Sequence, residues 1–167
     1  NQAKDDTFNY IHNECGYNYK MNGMAAALGI SQLKRIKKKI SLRKKIYKRY
    51  SLNFKNQKNI KLLSFQEKSK INYWINIISF KMFNFNQTYN LSQKLLKKNI
   101  ETRRIWRPLN LQTFLKKFET YNIKNSNKYY LNSLCIPSDE DLSISDIDKI
   151  SDYIKKYYKI IKLNKNS

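Results

Sequence analysis

The 167-residue sequence predicts a long helix leading into a small α+β domain, and three observations carry that prediction. Over residues 33–54 apolar side chains recur at three- and four-residue steps, the signature of one buried helix face. Residues 73–80 read Tyr-Trp-Ile-Asn-Ile-Ile-Ser-Phe, the aromatic and β-branched content of a strand. Beyond residue 143 a second helical period begins. Helical and strand signals thus alternate along one chain with no internal repeat and no Gly/Ser linker, which favours a mixed architecture over an all-α or all-β one.

Each element follows in order. Residues 1–21 are rich in Asn and Tyr and read mostly as loop or short strand. A helix is expected over 22–54, with Leu33, Ile36, Ile40, Tyr47, Tyr50 and Phe54 forming its apolar stripe and lysines filling the other face. Ala25, Ala26, Ala27 and Gly29 at its start are small enough for another backbone to approach closely. A polar stretch occupies 55–69, the strand 73–80 follows, and residues 91–98 read as a short helix. Asn99 is the turn into a second strand over 100–105. Pro108 ends regular structure and keeps the loop over 106–112 extended, since the residue before a proline avoids the helical region. The last helix begins near Ser143, where Asp146 three residues on completes a capping pair. Its buried face is Ile147, Ile150, Ile154, Tyr157 and Ile161. The domain division expected from this pattern is 1–21, 22–54 and 55–167.

Composition narrows the classes. A net charge of +22, from 34 Lys plus Arg against 12 Asp plus Glu, is the footprint of a module that binds nucleic acid or an anionic surface. The cations are mostly Lys, Val is absent, and Asn and Ile are abundant, which is what codon bias in an A/T-rich genome produces. We take drift as the main source of the charge and expect no nucleic-acid or membrane partner, with the basic binding module as the alternative. Cys15 and Cys135 form no CxxC or Cys/His cluster, so two free thiols are expected, with no metal site and no disulfide. No apolar run approaches the ~20 residues needed to span a bilayer and no signal peptide is visible, so a reduced, cytoplasmic setting is expected.

Four landmarks carry a more specific message. The run His12-Asn13-Glu14-Cys15-Gly16-Tyr17-Asn18-Tyr19-Lys20-Met21 is followed at once by Ala25-Ala26-Ala27-Leu28-Gly29-Ile30-Ser31-Gln32-Leu33. Before it stands Asn1-Gln2-Ala3-Lys4-Asp5-Asp6. After it come Glu101-Thr102-Arg103-Arg104-Ile105-Trp106-Arg107-Pro108-Leu109-Asn110-Leu111-Gln112 and Leu134-Cys135-Ile136-Pro137-Ser138. In order and spacing these resemble the "HxExGxNYRM", "ETRPxWxPLHxQ" and "LCLPSxxxL" stretches of the DegT/DnrJ/StrS family of sugar-nucleotide aminotransferases.

The resemblance implies an α/β fold overall, this chain being the C-terminal portion of a fold-type I aminotransferase. Residues 1–21 then end the large domain, 22–54 connect, and 55–167 form the small domain. The family's Schiff-base lysine lies in an upstream "SFxxNKxxTxGxGG" segment that has no counterpart here, so no catalytic residue is expected in this chain and the chain alone is expected to be inactive. A Schiff-base lysine needs desolvation or a cationic neighbour to lower its pKa, and the lysines here sit in solvated runs.

The cofactor implied is pyridoxal 5'-phosphate (PLP), with Asn18 holding its phosphate in the neighbouring subunit of a homodimer formed through the opening loop and long helix. Tyr19, Lys20, Trp106 and Asn110 are the implied substrate contacts, for a nucleotide-linked 4-keto-6-deoxy sugar with glutamate as amino donor, in surface polysaccharide or glycan synthesis. Lys20 replaces the family's Arg and loses its two-pronged grip on an anion. Asn110 replaces His, and Arg104 replaces Pro. His12 is read as ordering the loop, because the upstream lysine already supplies the base. A non-catalytic remnant is the other alternative, resting on the missing lysine and on Lys20 and Asn110.

Overall fold

The computed structural model describes residues 16–17, 19–66 and 69–163. The chain divides into two compact units, Asn1–Lys38 and Lys39–Ser167, and the division falls inside the first helix, α1 (Gly23–Phe54).

In the first unit Asn22 opens α1, its Oδ1 accepting a hydrogen bond from the Ala25 N–H at 2.8 Å, one of the donors that a helix start leaves unpaired. The stripe that was expected to be buried is open here: Leu33 is 68% and Ile36 45% exposed. Gly29 likewise meets nothing within 4 Å of the point where a Cβ would stand, so the close approach expected of the small residues is not made within the unit.

The second unit is the α+β domain. Its sheet has the order β1-β2-β4-β3, with β1 (Ile60–Leu62), β2 (Asn76–Phe80), β3 (Arg103–Arg104) and β4 (Ser133–Ile136), every neighbouring pair antiparallel. The helices are the second half of α1, α2 (Phe85–Leu96), α3 (Lys124–Asn132) and α4 (Ile144–Leu163). Ile46, Tyr50 and Phe54 of α1, Ile78 and Phe80 of β2, Leu91 and Leu95 of α2, Leu134 and Ile136 of β4, and Ile147, Ile150, Ile154 and Tyr158 of α4 are buried together as one core. Each large side chain there contributes about 1.5–3 kcal/mol by leaving water.

Several expectations shift. Strand β2 starts at Asn76 instead of residue 73, because Tyr73 adopts a positive φ of 53° that no strand continues through. Helix α2 starts at Phe85, six residues earlier than expected: Asn84 Oδ1 accepts from the Gln87 N–H and Gln87 Oε1 from the Asn84 N–H, both at 3.0 Å, a reciprocal cap built on Asn and Gln. It ends at Leu96, two residues short of the expected 98, and the turn falls at Asn99 as expected, with a left-handed φ of 58° while the Ile100 N–H reaches back to the Leu95 carbonyl. The second strand shrinks to two residues. After Pro108 the chain does not stay extended but closes 3-10 turns at Leu109–Leu111 and Thr113–Leu115. Helix α4 begins at its expected cap, the Ser143 Oγ accepting from the Asp146 N–H at 3.1 Å, and Tyr158 joins its buried face.

Candidate functional site

Strands β3 and β4 bring two of the landmarks together. Arg103 lies opposite Cys135 and Arg104 opposite Leu134, so the segments around residues 101–106 and 134–138, distant in sequence, form adjoining walls of one groove of about 950 Å³. Trp74 and Trp106 stand at this groove with ring centroids 6.1 Å apart and planes tilted by 48°, and Tyr153 of α4 lies on its lining.

The core holds these walls. Tyr50, fully buried in α1, donates its hydroxyl to the Pro137 carbonyl at 3.0 Å, and burial pushes that phenol well above its usual pKa, so it stays a neutral donor. The Ser138 hydroxyl donates to the Trp74 carbonyl at 2.8 Å and ties the end of β4 to the start of β2. The Arg49 guanidinium grips both oxygens of Asp148 on α4, Asn53 donates to the same carboxylate at 2.8 Å, and together they hold the Asp148 pKa down to about 2.

The charges at the groove are largely committed. Arg103 and Glu101 pair at 3.0 Å, both well exposed, an interaction worth at most about 1 kcal/mol. Asp146 is held below the usual carboxylate range chiefly by the Ser143 hydroxyl, and as an anion in the first turn of α4 it also suits the helix dipole. Burial raises the Cys135 thiol pKa and so disfavours the thiolate that nucleophilic chemistry requires.

Of the residues read from the sequence, Trp106 stands on the groove. Asn110 does not: it sits in the first 3-10 turn, half-buried, with its Oδ1 shielded from solvent and unpartnered. Tyr19 is 80% exposed and stacks on Tyr17 at 5.7 Å, and Lys20 is exposed; both belong to the first unit. Asn18, His12 and Cys15 lie outside the described residues. Trp74 was missed by the sequence reading. In the sequence it reads only as part of the strand over 73–80, and its meeting with Trp106 is a long-range contact.

Covalent attachment of PLP needs a desolvated lysine. Among the described residues from 20 to 159 no lysine is buried, and Lys39 and Lys155 face Glu140 and Asp152 at 2.9 and 3.1 Å. These residues therefore do not fit a Schiff base of their own. They also hold no cluster of His, Cys, Asp or Glu suited to a metal, and no helix long and apolar enough to cross a membrane.

Comparison with known proteins places the arrangement. UDP-4-amino-4,6-dideoxy-N-acetyl-beta-L-altrosamine transaminase of Campylobacter jejuni is 28% identical over 143 residues, covering 83% of this chain and 37% of that protein. The structure of Helicobacter pylori PseC, an aminotransferase involved in the biosynthesis of pseudoaminic acid, superimposes with a TM-score of 0.80 at 22% identity, covering 93% of this chain and 42% of that one. GDP-4-keto-6-deoxymannose-3-dehydratase, solved with a trapped PLP-glutamate geminal diamine, gives a TM-score of 0.73 at 24% identity, over 90% of this chain and 40% of that one. The chain thus spans about two fifths of the length of such relatives, with the fold of their matching portion. Two landmarks paired across β3 and β4, that shared fold, and a family model matched over residues 1–155 agree: the chain belongs to the DegT/DnrJ/EryC1/StrS aminotransferase family.

Proposed function

We propose that this chain is the C-terminal part of a PLP-dependent aminotransferase that aminates a nucleotide-linked 4-keto-6-deoxy sugar, with glutamate as donor, in the cytoplasmic synthesis of a surface polysaccharide or glycan. Aminotransferases of this family depend on PLP. The observation that carries the reading is the pairing of the "ETR" and "LCIPS" segments around one groove with Trp106 on its wall, in a chain matched to the family over nearly its whole length. The Campylobacter relative is named as the transaminase of a UDP-linked 4-amino-4,6-dideoxy sugar, the kind of compound that amination of a nucleotide-linked 4-keto-6-deoxy sugar yields, and this supports the substrate class.

In this reading residues 1–21 end the large domain, α1 connects, and the α+β unit is the small domain. When bound, PLP supplies the electron sink, and its lysine lies outside this chain. The residues of this chain bind and orient: Asn18 donates its amide to the phosphate of the neighbour's PLP in a homodimer, Tyr19 and Lys20 stand beside that substrate site, and the Trp74/Trp106 wall excludes water from one side of the nucleotide sugar. An amide suits the phosphate because it donates without a charge or protonation change.

The test is direct. Native-length protein given PLP, glutamate and a UDP- or GDP-linked 4-keto-6-deoxyhexose should release 2-oxoglutarate and a 4-amino sugar nucleotide in equal amounts. Amination at another ring position would overturn the regiochemistry. Failure with every keto sugar nucleotide, in protein that binds PLP, would overturn the reading itself. The present chain mixed with PLP and reduced with borohydride should carry no stoichiometric adduct on a single lysine.

A further inference from the structure

We propose that Arg104 is a positioning residue for the groove: its guanidinium, held between Phe85 and Tyr130, fixes the chain leaving β3 so that Trp106 stands against Trp74. The inference rests on the proposed function only where it predicts an effect on a nucleotide-sugar substrate.

Strand β3 is two residues long and lies at the sheet edge, so its ladder alone holds the segment weakly. Before it, the Thr102 hydroxyl donates to Ser92 Oγ on α2 at 2.9 Å. After it, the next regular element is the 3-10 turn at Leu109–Leu111. Between these anchors stands Arg104. Its Cζ lies 3.9 Å from the Phe85 ring centroid and 4.3 Å from that of Tyr130, and its Nη2 donates to the Tyr130 carbonyl. One flat cation therefore joins the start of α2, the body of α3 and the edge strand. Its Nε is buried without a partner, a cost that an arginine free in solvent does not carry. A lysine could not reproduce this arrangement: an ammonium has no plane to lay against two rings at once.

Trp106 follows two residues later and is 66% exposed, with the Trp74 ring as its aromatic neighbour. Little packing of its own fixes the indole. Its place depends on the backbone that Arg104 restrains, which makes Arg104 a determinant of how the groove meets a planar or ring-shaped ligand.

The two tryptophans of the sequence are this pair, so the indole signal of the chain reports on the groove. Indoles this close should give an exciton couplet in circular dichroism, and Trp74→Phe should abolish it, which defines the signal. Arg104→Lys and Arg104→Met should each lose most of the couplet while helix content is retained. A full couplet in both folded variants would overturn the proposal. If Arg104→Met fails to fold, Phe85→Leu, which removes one ring of the clamp, takes its place with the same expectation.

In the native-length enzyme, Arg104→Lys should raise KM for the nucleotide sugar about tenfold and leave kcat within about twofold, the pattern of lost binding that ground and transition state share. A fall in kcat with KM unchanged would contradict a positioning role. A couplet that collapses in a protein inactive toward every nucleotide sugar would leave the clamp standing and refute the proposed function.

Discussion

Along α1, Ile46, Tyr50 and Phe54 are buried among residues of the sheet and α4, whereas Leu33 and Ile36, which continue the stripe toward the N-terminus, stand 68% and 45% exposed. One helix with one period meets a core in its second half and nothing among the described residues of its unit in its first. Periodicity encodes that a face is to be covered, and the encoding is the same whether the cover comes from the same domain or from elsewhere. Under the proposed function, the open half is the surface that the long helix offers to the rest of the enzyme and to its dimer partner.

Substitution separates the halves most strongly. Phe54→Ala should destabilise the chain by about 3–5 kcal/mol, the cost of an aromatic cavity in a packed core. Leu33→Ala should change it by less than about 0.5 kcal/mol. Urea denaturation of both variants measures the contrast. Equal losses would mean that the first half of α1 is packed within this chain after all. In native-length protein Leu33→Ala should become costly, by about 2–5 kcal/mol if a partner surface buries it.

A smaller effect tests the other anchor of the groove-bearing unit. Asn84→Ala removes the side-chain half of the cap on α2 and should cost about 1 kcal/mol, read in the same denaturation experiment. No loss would remove the explanation given for the early start of that helix.

What could be read from the sequence follows from where each signal resides. Helices α1 and α4 were legible because their apolar residues repeat over several turns and, in α4, because Ser143 and Asp146 mark the start. Strand β1 was hidden: three residues, Ile60–Leu62, in a Lys- and Asn-rich stretch, too short for alternation to show. Helix α3 was hidden too, since Asn132 is its one buried residue and so no apolar stripe exists to detect. In the site, Trp106 was legible through its motif, whereas Trp74 and the Arg104 clamp were not, because both arise from β2, α2 and α3 meeting the β3 edge, a long-range event with no local period. Asn110 shows the converse. Its motif position was clear, yet it lies off the groove.

The least of the effects is acid-dependent. Asp148 titrates near 2 in the folded chain, held down by Arg49 and then Asn53, against about 3.9 in an unfolded one. A depressed carboxylate stabilises the fold above its unfolded pKa, and the contribution fades as pH falls from about 4 toward 2. Asp148→Asn should therefore flatten the acid limb of the stability profile in that window. Being partly exposed, the clamp should shift midpoints modestly, and raised salt should shrink the shift. An unchanged acid limb would show that the α1–α4 clamp carries no pH-linked stability.

Subunit complementation in native-length enzyme tests most directly whether this segment completes its neighbour's site. A subunit lacking the Schiff-base lysine and one carrying Asn18→Ala should each be poor catalysts alone. Mixed, they give heterodimers in which one site collects both defects while the other combines an intact lysine with an intact Asn18. Random exchange makes about half the dimers mixed, each with one good site of two, so activity should recover to roughly a quarter of wild type in a two-fold assembly. No recovery, with subunit exchange demonstrated and Asn18→Ala inactive alone, would contradict the account and place Asn18 in its own subunit's site or in none.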